Sequence, residues 1–306
     1  MIPDMRLADR LALYTTIYPG VERFLPAWFD SVLAQTDKRF DIWIGIDELD
    51  VSTAIEAMGT DPSATWVKAA EGSSPSQIRQ AAIEKMVIRY PAVVFVDSDD
   101  LLAPTRVEAA RKALEMNDVN ACAMRIIDEG GKSLGAVLQP PVEDVAALLP
   151  RYNVFGLSNT AYRCEILRRC LPIPSGCVLV DWFLGTRAWT LGATLNFDFE
   201  CRMSYRQYSS NMARVLPPFT TQQVVIAAEH VLAHYALVLH HIPELQAHHR
   251  MELETACSHA KAFHYSVTHS SDILVSYVEA LNNLPLHHMW WECVAHQQLE
   301  HIWRLN

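Results

Sequence analysis

Two hydrophobic periods alternate along the first hundred residues. LALYTTI, Leu11 to Ile17, is a short apolar run of strand length. From Glu22 to Thr36 the large apolar residues Phe24, Leu25, Trp28, Phe29, Val32 and Leu33 recur at helical spacing. DIWIGI, Asp41 to Ile46, predicts a second strand, and ATWVKA, Ala64 to Ala69, a third. SPSQIRQAAIEKMVIRY opens on Ser and Pro, which suit a helix start, and predicts a helix to Tyr90. AVVFV, Ala92 to Val96, is apolar at every position, as in a parallel strand buried on both faces. Pro104 opens a helix that runs to about Met116. The pattern fades from Ala121 to Pro150, where Gly130-Gly131 predicts a hairpin turn and Pro140-Pro141 a loop. Asp181 to Leu191 then reads as a helix, Ala193 to Tyr205 as a strand region, and the chain beyond Pro218 as helical almost throughout. Strands alternating with helices predict an α/β fold with a mostly parallel sheet, right-handed crossovers and a C-terminal α-helical extension.

Composition adds a boundary. The 306 residues are half hydrophobic and a fifth charged, which suits one large domain or a domain with an appendage. All thirteen histidines lie between His230 and His301. That shift places a boundary near Pro217-Pro218, with an α/β domain over 1–215 and a His-rich helical region over 216–306. Acid–base chemistry in the first part must then use carboxylates, Tyr, Lys or Cys, unless the tail supplies a His. His230 and His234 have helical i, i+4 spacing but lack the HExxH pattern, so packed or solvated rings are favoured over a zinc site. The adjacent pair His287-His288 is read the same way. Trp290, Trp291 and Trp303 suggest helix packing or a homodimer contact.

Charge and cysteine content narrow the partners. A net charge of −10 argues against nucleic acid. Seven scattered cysteines suit a reducing compartment, and MIPDMRLADR lacks the apolar core of a secretory signal, so a cytoplasmic location is expected. No apolar run is long and uncharged enough to span a bilayer; the best, Val224 to Ile242, contains Glu229 and several histidines.

Candidate chemistry gathers at the strand ends. In open α/β sheets, ligands bind beyond the carboxyl ends of the strands. Three strands end in polar residues: Thr15 and Thr16, then Asp47, then the run Asp97-Ser98-Asp99-Asp100. Two carboxylates one residue apart can share Mg²⁺ or Mn²⁺ and leave positions open for substrate phosphates. The plainer reading is a solvated turn whose acids cap the next helix.

The ordered series of segments resembles the family-two glycosyltransferases with the GT-A fold, a Rossmann-like mixed sheet flanked by helices. FLPAWFDSVLAQT (Phe24 to Thr36) is similar to their first helix, and FVDSDD to their metal motif. GLSNTAYRCEIL (Gly156 to Leu167) is similar to an acceptor-side segment, VDWFLGTRAWTLG (Val180 to Gly192) to the helix opening with the base, and SYRQYSSNMA (Ser204 to Ala213) to the segment closing over the diphosphate. The resemblance spans about Leu11 to Ala213. It implies that Asp97 and Asp99 bind Mg²⁺ or Mn²⁺, with Asp99 the direct ligand. Thr15, Thr16, Asp47, Arg79, Asp97, Ser98 and Arg206 would line the nucleotide-sugar site, and Asn159 and Trp182 the acceptor side. Asp181 would be the general base of an inverting transfer from a nucleotide-diphosphate sugar, a UDP-sugar first, to a glycan, lipid-linked sugar or protein hydroxyl. A lipid-linked acceptor is compatible with peripheral association at the inner membrane face. Tyr208 stands where many relatives carry His, and IDELD replaces their Asp-Asp-Gly-Ser element.

Plainer readings stand beside these. Asp181 also suits a helix N-cap, Trp182 core packing, and Arg79 and Arg206 structural ion pairs. Two other functions fit the same fold. One is a non-catalytic sugar-nucleotide binder. The other is a nucleotidyltransferase, which YPGVERF, with one Gly and one Arg, matches poorly.

Overall fold

The computed structural model describes residues 6–242, 245–284 and 289–304. The pair His287-His288 lies outside the described residues. In chain order the elements begin with β1 (Leu11–Ile17), α1 (Leu25–Leu33), β2 (Phe40–Ile46), α2 (Val51–Met58), β3 (Thr65–Lys68), α3 (Pro75–Met86) and β4 (Ala92–Phe95). They continue with β5 (Leu101–Leu102), α4 (Arg106–Ala113), β6 (Val119–Ile127), β7 (Ser133–Leu138), β8 (Thr160–Arg163), α5 (Cys164–Arg169), α6 (Val180–Thr190) and β9 (Leu195–Arg206). The helices α7 (Thr221–His241), α8 (Ala247–His269), α9 (Ser271–Asn282) and α10 (Glu300–Trp303) complete the chain.

The strands form one mixed sheet in the order β3-β2-β1-β4-β8-β6-β9-β5. β3, β2, β1 and β4 are parallel, whereas β8 runs antiparallel to both β4 and β6. β7 pairs with the second half of β6, around the turn that Gly130-Gly131 predicts. Local chemistry fixes the helix starts. Pro follows the first residue of α1, and α3 opens on a reciprocal capping box between Ser74 and Gln77. α7 opens on a second box between Thr220 and Gln223.

The sheet and the C-terminal helices share one buried core, continuous from Leu11 to Trp303. The join runs through α6 and α7. Trp182 of α6 is fully buried, stacks on His234 of α7 with ring centroids 4.1 Å apart, and meets Tyr235 edge-on at 5.8 Å. Contrary to the expectation from sequence, α7 is long and apolar enough to cross a membrane by length and composition, alone among the described helices. Here its Val224, Ala228, Val231, Tyr235 and Val238 lie in the core.

Burial pushes the His234 pKa down from 6.5 to about 3. The ring is neutral in the folded chain but takes up a proton on unfolding once the pH drops below 6.5. Its contribution therefore destabilises the fold increasingly as pH falls from about 6.5 towards 3, by about 1.4 kcal/mol per pH unit. His234→Phe should flatten the fall in denaturation midpoint between pH 6.5 and 5 relative to the parent. Identical pH slopes would show that His234 is not the group responsible.

Candidate functional site

The parallel register brings three strand ends to one edge. Ile17 of β1 sits opposite Ile46 of β2, and the Val96 N–H, just past β4, donates to the Tyr14 carbonyl at 3.0 Å. Asp47 and Asp97 thus emerge on either side of Thr16. Gly45 makes this closeness workable: a Cβ there would lie 2.4 Å from the Tyr14 hydroxyl and 3.0 Å from Ile78 of α3. Tyr14 and Thr16, two residues apart on one face of β1, hydrogen-bond at 3.0 Å. Arg79 of α3 lies over this face, close enough to act electrostatically on Tyr14, Asp47, Asp97 and Asp181. Its Nε is buried and has no hydrogen-bond partner among the described residues.

The acidic run is not a solvated turn. Its four residues divide their work. The Ser98 hydroxyl donates to the Thr16 carbonyl at 2.8 Å and ties β1 to β4. Asp100 is fully buried, accepting the Arg206 N–H at 2.7 Å and the Ser158 hydroxyl. Asp97 and Asp99 remain. Burial, followed by the nearby charge of Asp99, pushes the Asp97 carboxyl up to about 7, and Arg79 partly opposes this. No hydrogen bond holds the Asp97 carboxylate among the described residues. Burial also raises Asp99, against the Tyr208 hydroxyl, which donates to its Oδ2 at 2.7 Å. Tyr18 lies 3.4 Å from Tyr208, oxygen to oxygen.

Asp181 sits in the first turn of α6, half-buried. It accepts the Trp182 N–H at Oδ1 and the Asn153 side-chain amide at Oδ2, both at 2.8 Å. Burial raises its pKa, while those two donors and Arg79 oppose the shift. Its charge in turn acts on Asp97, so the candidate base and the acidic run lie within electrostatic reach of each other.

The geometry therefore gathers Thr16, Asp47, Arg79, Asp97, Asp99 and Asp181. Five other residues expected at the site have different work. Thr15 points to the opposite face of β1, 1% exposed. Ser98 is a strand tie. Arg206, 3% exposed, donates from Nε to the Asp99 carbonyl at 2.7 Å and from Nη1 to the Glu129 carbonyl at 2.7 Å. Through Nε and Nη1 it clamps the acidic loop to the β6–β7 turn. Asn159 is buried, donating to the Cys122 carbonyl at 2.9 Å. Trp182 is core, with its Nε1 on the Leu149 carbonyl at 2.9 Å, so no face is free for a sugar. Sequence reasoning missed Asn153, Ser158 and Tyr18. Asn153 lies just past the stretch where the periodicity fades, whereas Ser158 stands inside the GLSNTAYRCEIL segment and could have been found there.

A divalent cation suits Asp97, a half-buried carboxylate with no hydrogen-bond partner among the described residues. Among the described residues, no three His, Cys, Asp or Glu side chains gather closely enough to hold a metal unaided. Such a cation would depend on one or two carboxylates and on substrate oxygens, as Mg²⁺ commonly does.

No family model matches the sequence, and no curated protein matches it. Solved structures do. S. aureus TarS 1-349 in complex with UDP superposes with a TM-score of 0.57 at 14% identity, over 84% of this chain and 72% of that one. The complex of TarS 1-349 with UDP-GlcNAc gives 0.55 at 13% identity, over 89% and 90%. The mannosyltransferase PcManGT from Pyrobaculum calidifontis, in complex with GDP-Man and Mn²⁺, gives 0.56 at 14% identity, over 99% and 91%. At these identities the likeness establishes architecture alone: a GT-A-like mixed α/β sheet flanked by helices, with further helices at the C-terminus.

Proposed function

We propose that the chain is a glycosyltransferase that moves a sugar from a nucleotide-diphosphate sugar to a hydroxyl acceptor with inversion. The observation that carries this reading is the meeting of Asp47, Asp97 and Asp181 around Arg79, with Asp99 beside Asp97, where β1, β2 and β4 end. The UDP, UDP-GlcNAc and GDP-Man bound by the structural neighbours support a nucleotide-sugar donor, with a UDP-sugar the first to test. Asp47 would meet the nucleoside and Arg79 the diphosphate. Asp181 would take the proton from the acceptor hydroxyl as that oxygen bonds to the anomeric carbon. The bond from that carbon to the diphosphate oxygen breaks with its electron pair, and the nucleoside diphosphate leaves. Burial raises the Asp181 pKa, which makes the carboxylate a stronger base. Asp97 and Asp99 would hold Mg²⁺ or Mn²⁺, which when bound supplies positive charge for the leaving diphosphate.

One observation favours a second reading, a sugar-nucleotide binder without turnover. The Tyr208 hydroxyl occupies Asp99 Oδ2, one of the oxygens that a cation would need. A thermal-shift screen of nucleotide sugars with and without Mn²⁺ tests both. A bound donor at a hundredfold excess over its Kd stabilises the fold by about 2.7 kcal/mol. The expected result is a shift with a UDP-sugar, enlarged by Mn²⁺ in the parent but not in Asp97→Asn, together with transfer or slow hydrolysis of the donor. Binding without either reaction would select the binder, and no shift with any nucleotide sugar would sink both readings.

A further inference from the structure

Asn153 is the least exposed polar side chain in contact with the proposed base, at 0%. Its two ends are both committed. The side-chain oxygen accepts the Phe155 N–H at 3.1 Å, which fixes the rotamer and aims the amide N–H at Asp181 Oδ2, 2.8 Å away. Its backbone is held from a distant part of the chain by an isolated antiparallel bridge to Trp290. Trp290 is buried in turn, with its ring edge-on to Tyr205 at 5.7 Å. It also lies over Gly156, where an added Cβ would come within 2.5 Å of the indole. Tyr205 sits at the end of β9, next to Arg206, which clamps the acidic loop. The C-terminal segment at Trp290 is therefore wedged between the support of Asp181 and the support of Asp99.

We propose that Asn153 is a positioning residue for Asp181, and that Trp290 of the C-terminal segment holds Asn153 in place, so the tail is part of the catalytic apparatus. This rests on the glycosyltransferase reading with Asp181 as base. Without Asn153, one carboxylate oxygen keeps only the electrostatic surroundings that Asp181 already has: Arg79 from α3, Asp97 beyond β4, Tyr162 from β8 and Cys177 from the loop before α6. None of these appears as a hydrogen-bond partner of Asp181 among the described residues. The carboxylate would then be held by the Trp182 N–H alone and could turn about that bond away from the line of attack.

Two measurements on the full chain test the proposal. The first needs no turnover. The Asn153 side-chain amide resonance, assigned by its loss in Asn153→Ala, should lie downfield in the parent and move upfield in Asp181→Ala. A resonance that ignores Asp181 overturns the proposal. This answer stands even if the parent proves to transfer no sugar, which would sink the functional reading alone. The second is kinetic. Asn153→Ala and the near-isosteric Asn153→Asp should each lower kcat by about tenfold or more with the donor KM unchanged, as expected for loss of a group that orients the base. Gly156→Ala, which displaces Trp290, should lower kcat in the same direction. Asn153→Asp keeps the side-chain volume, so parental turnover by that variant would reduce Asn153 to packing and overturn the proposal.

Discussion

Asp181→Asn should lower the rate of sugar transfer by about 10²–10⁴-fold, the usual worth of a positioned general base, while nucleotide-sugar binding is retained. The amide keeps the side-chain shape and can still accept the Trp182 N–H, the bond that roots Asp181 in the first turn of α6. What it loses is the ability to take a proton and, having one oxygen for two donors, the bond from the Asn153 amide. The same substitution should cost little stability at neutral pH, because a second effect offsets the lost bond. Burial raises the Asp181 pKa, so in the folded chain the ionised carboxylate is disfavoured relative to the unfolded chain. For a raised carboxyl the stabilising contribution is present at low pH and is lost as pH rises through the titration range. An amide escapes that loss, which offsets the bond it gives up, so the variant should melt close to the parent at pH 7. Retained stability with abolished turnover is the pattern expected where strain serves chemistry. Steady-state transfer assays and melting curves on the same preparation provide the check, and parental turnover by the variant would remove Asp181 from the mechanism.

The readable parts of the fold were those with a strong local signal. β1, α1, β4 and α3 combine clear periodicity with a Pro or Ser at the helix start, and each forms within a few residues of its expected span. The Gly130-Gly131 turn also forms between β6 and β7. Three elements had no such signal. β6 is buried at nearly every position, so no alternation marks it; α2 is only eight residues long, and β8 only four. The sheet turns from parallel to antiparallel at β8, a long-range pairing that no local pattern encodes.

Much the same divide runs through the site. The strand-end acids Asp47 and Asp97 were legible because chain direction alone places them. The division of labour inside Asp97-Ser98-Asp99-Asp100 was not, since it depends on partners 58 to 109 positions away in the chain, Ser158, Arg206, Tyr208 and Thr16 among them. Arg206 shows why type and position mislead. An arginine beside a diphosphate motif suggests phosphate, but here backbone carbonyls have claimed it. A charged donor left exposed binds ligand, and one that is buried must satisfy itself first.

Trp182→Ala should destabilise the fold by about 3–5 kcal/mol, the largest effect on stability expected from a single substitution near the site. Trp182 adjoins Asp181 in sequence, yet its side chain points the other way, into the seam between α6 and α7. One face lies on the His234 ring, with only 12° between the planes, and Tyr235 closes on it edge-first. Truncation would open a cavity there, strip His234 of its stack and leave the Leu149 carbonyl without the indole N–H. The backbone N–H that holds Asp181 survives in the alanine variant, so the base keeps that anchor. Denaturant midpoints should therefore fall well below the parent, while the added stability from a saturating nucleotide sugar stays the same. A sugar platform makes the opposite prediction: unchanged stability with weakened acceptor use. The two neighbours thus separate cleanly, with Asp181→Asn removing chemistry from an intact fold and Trp182→Ala weakening the seam that fastens the helical tail to the site.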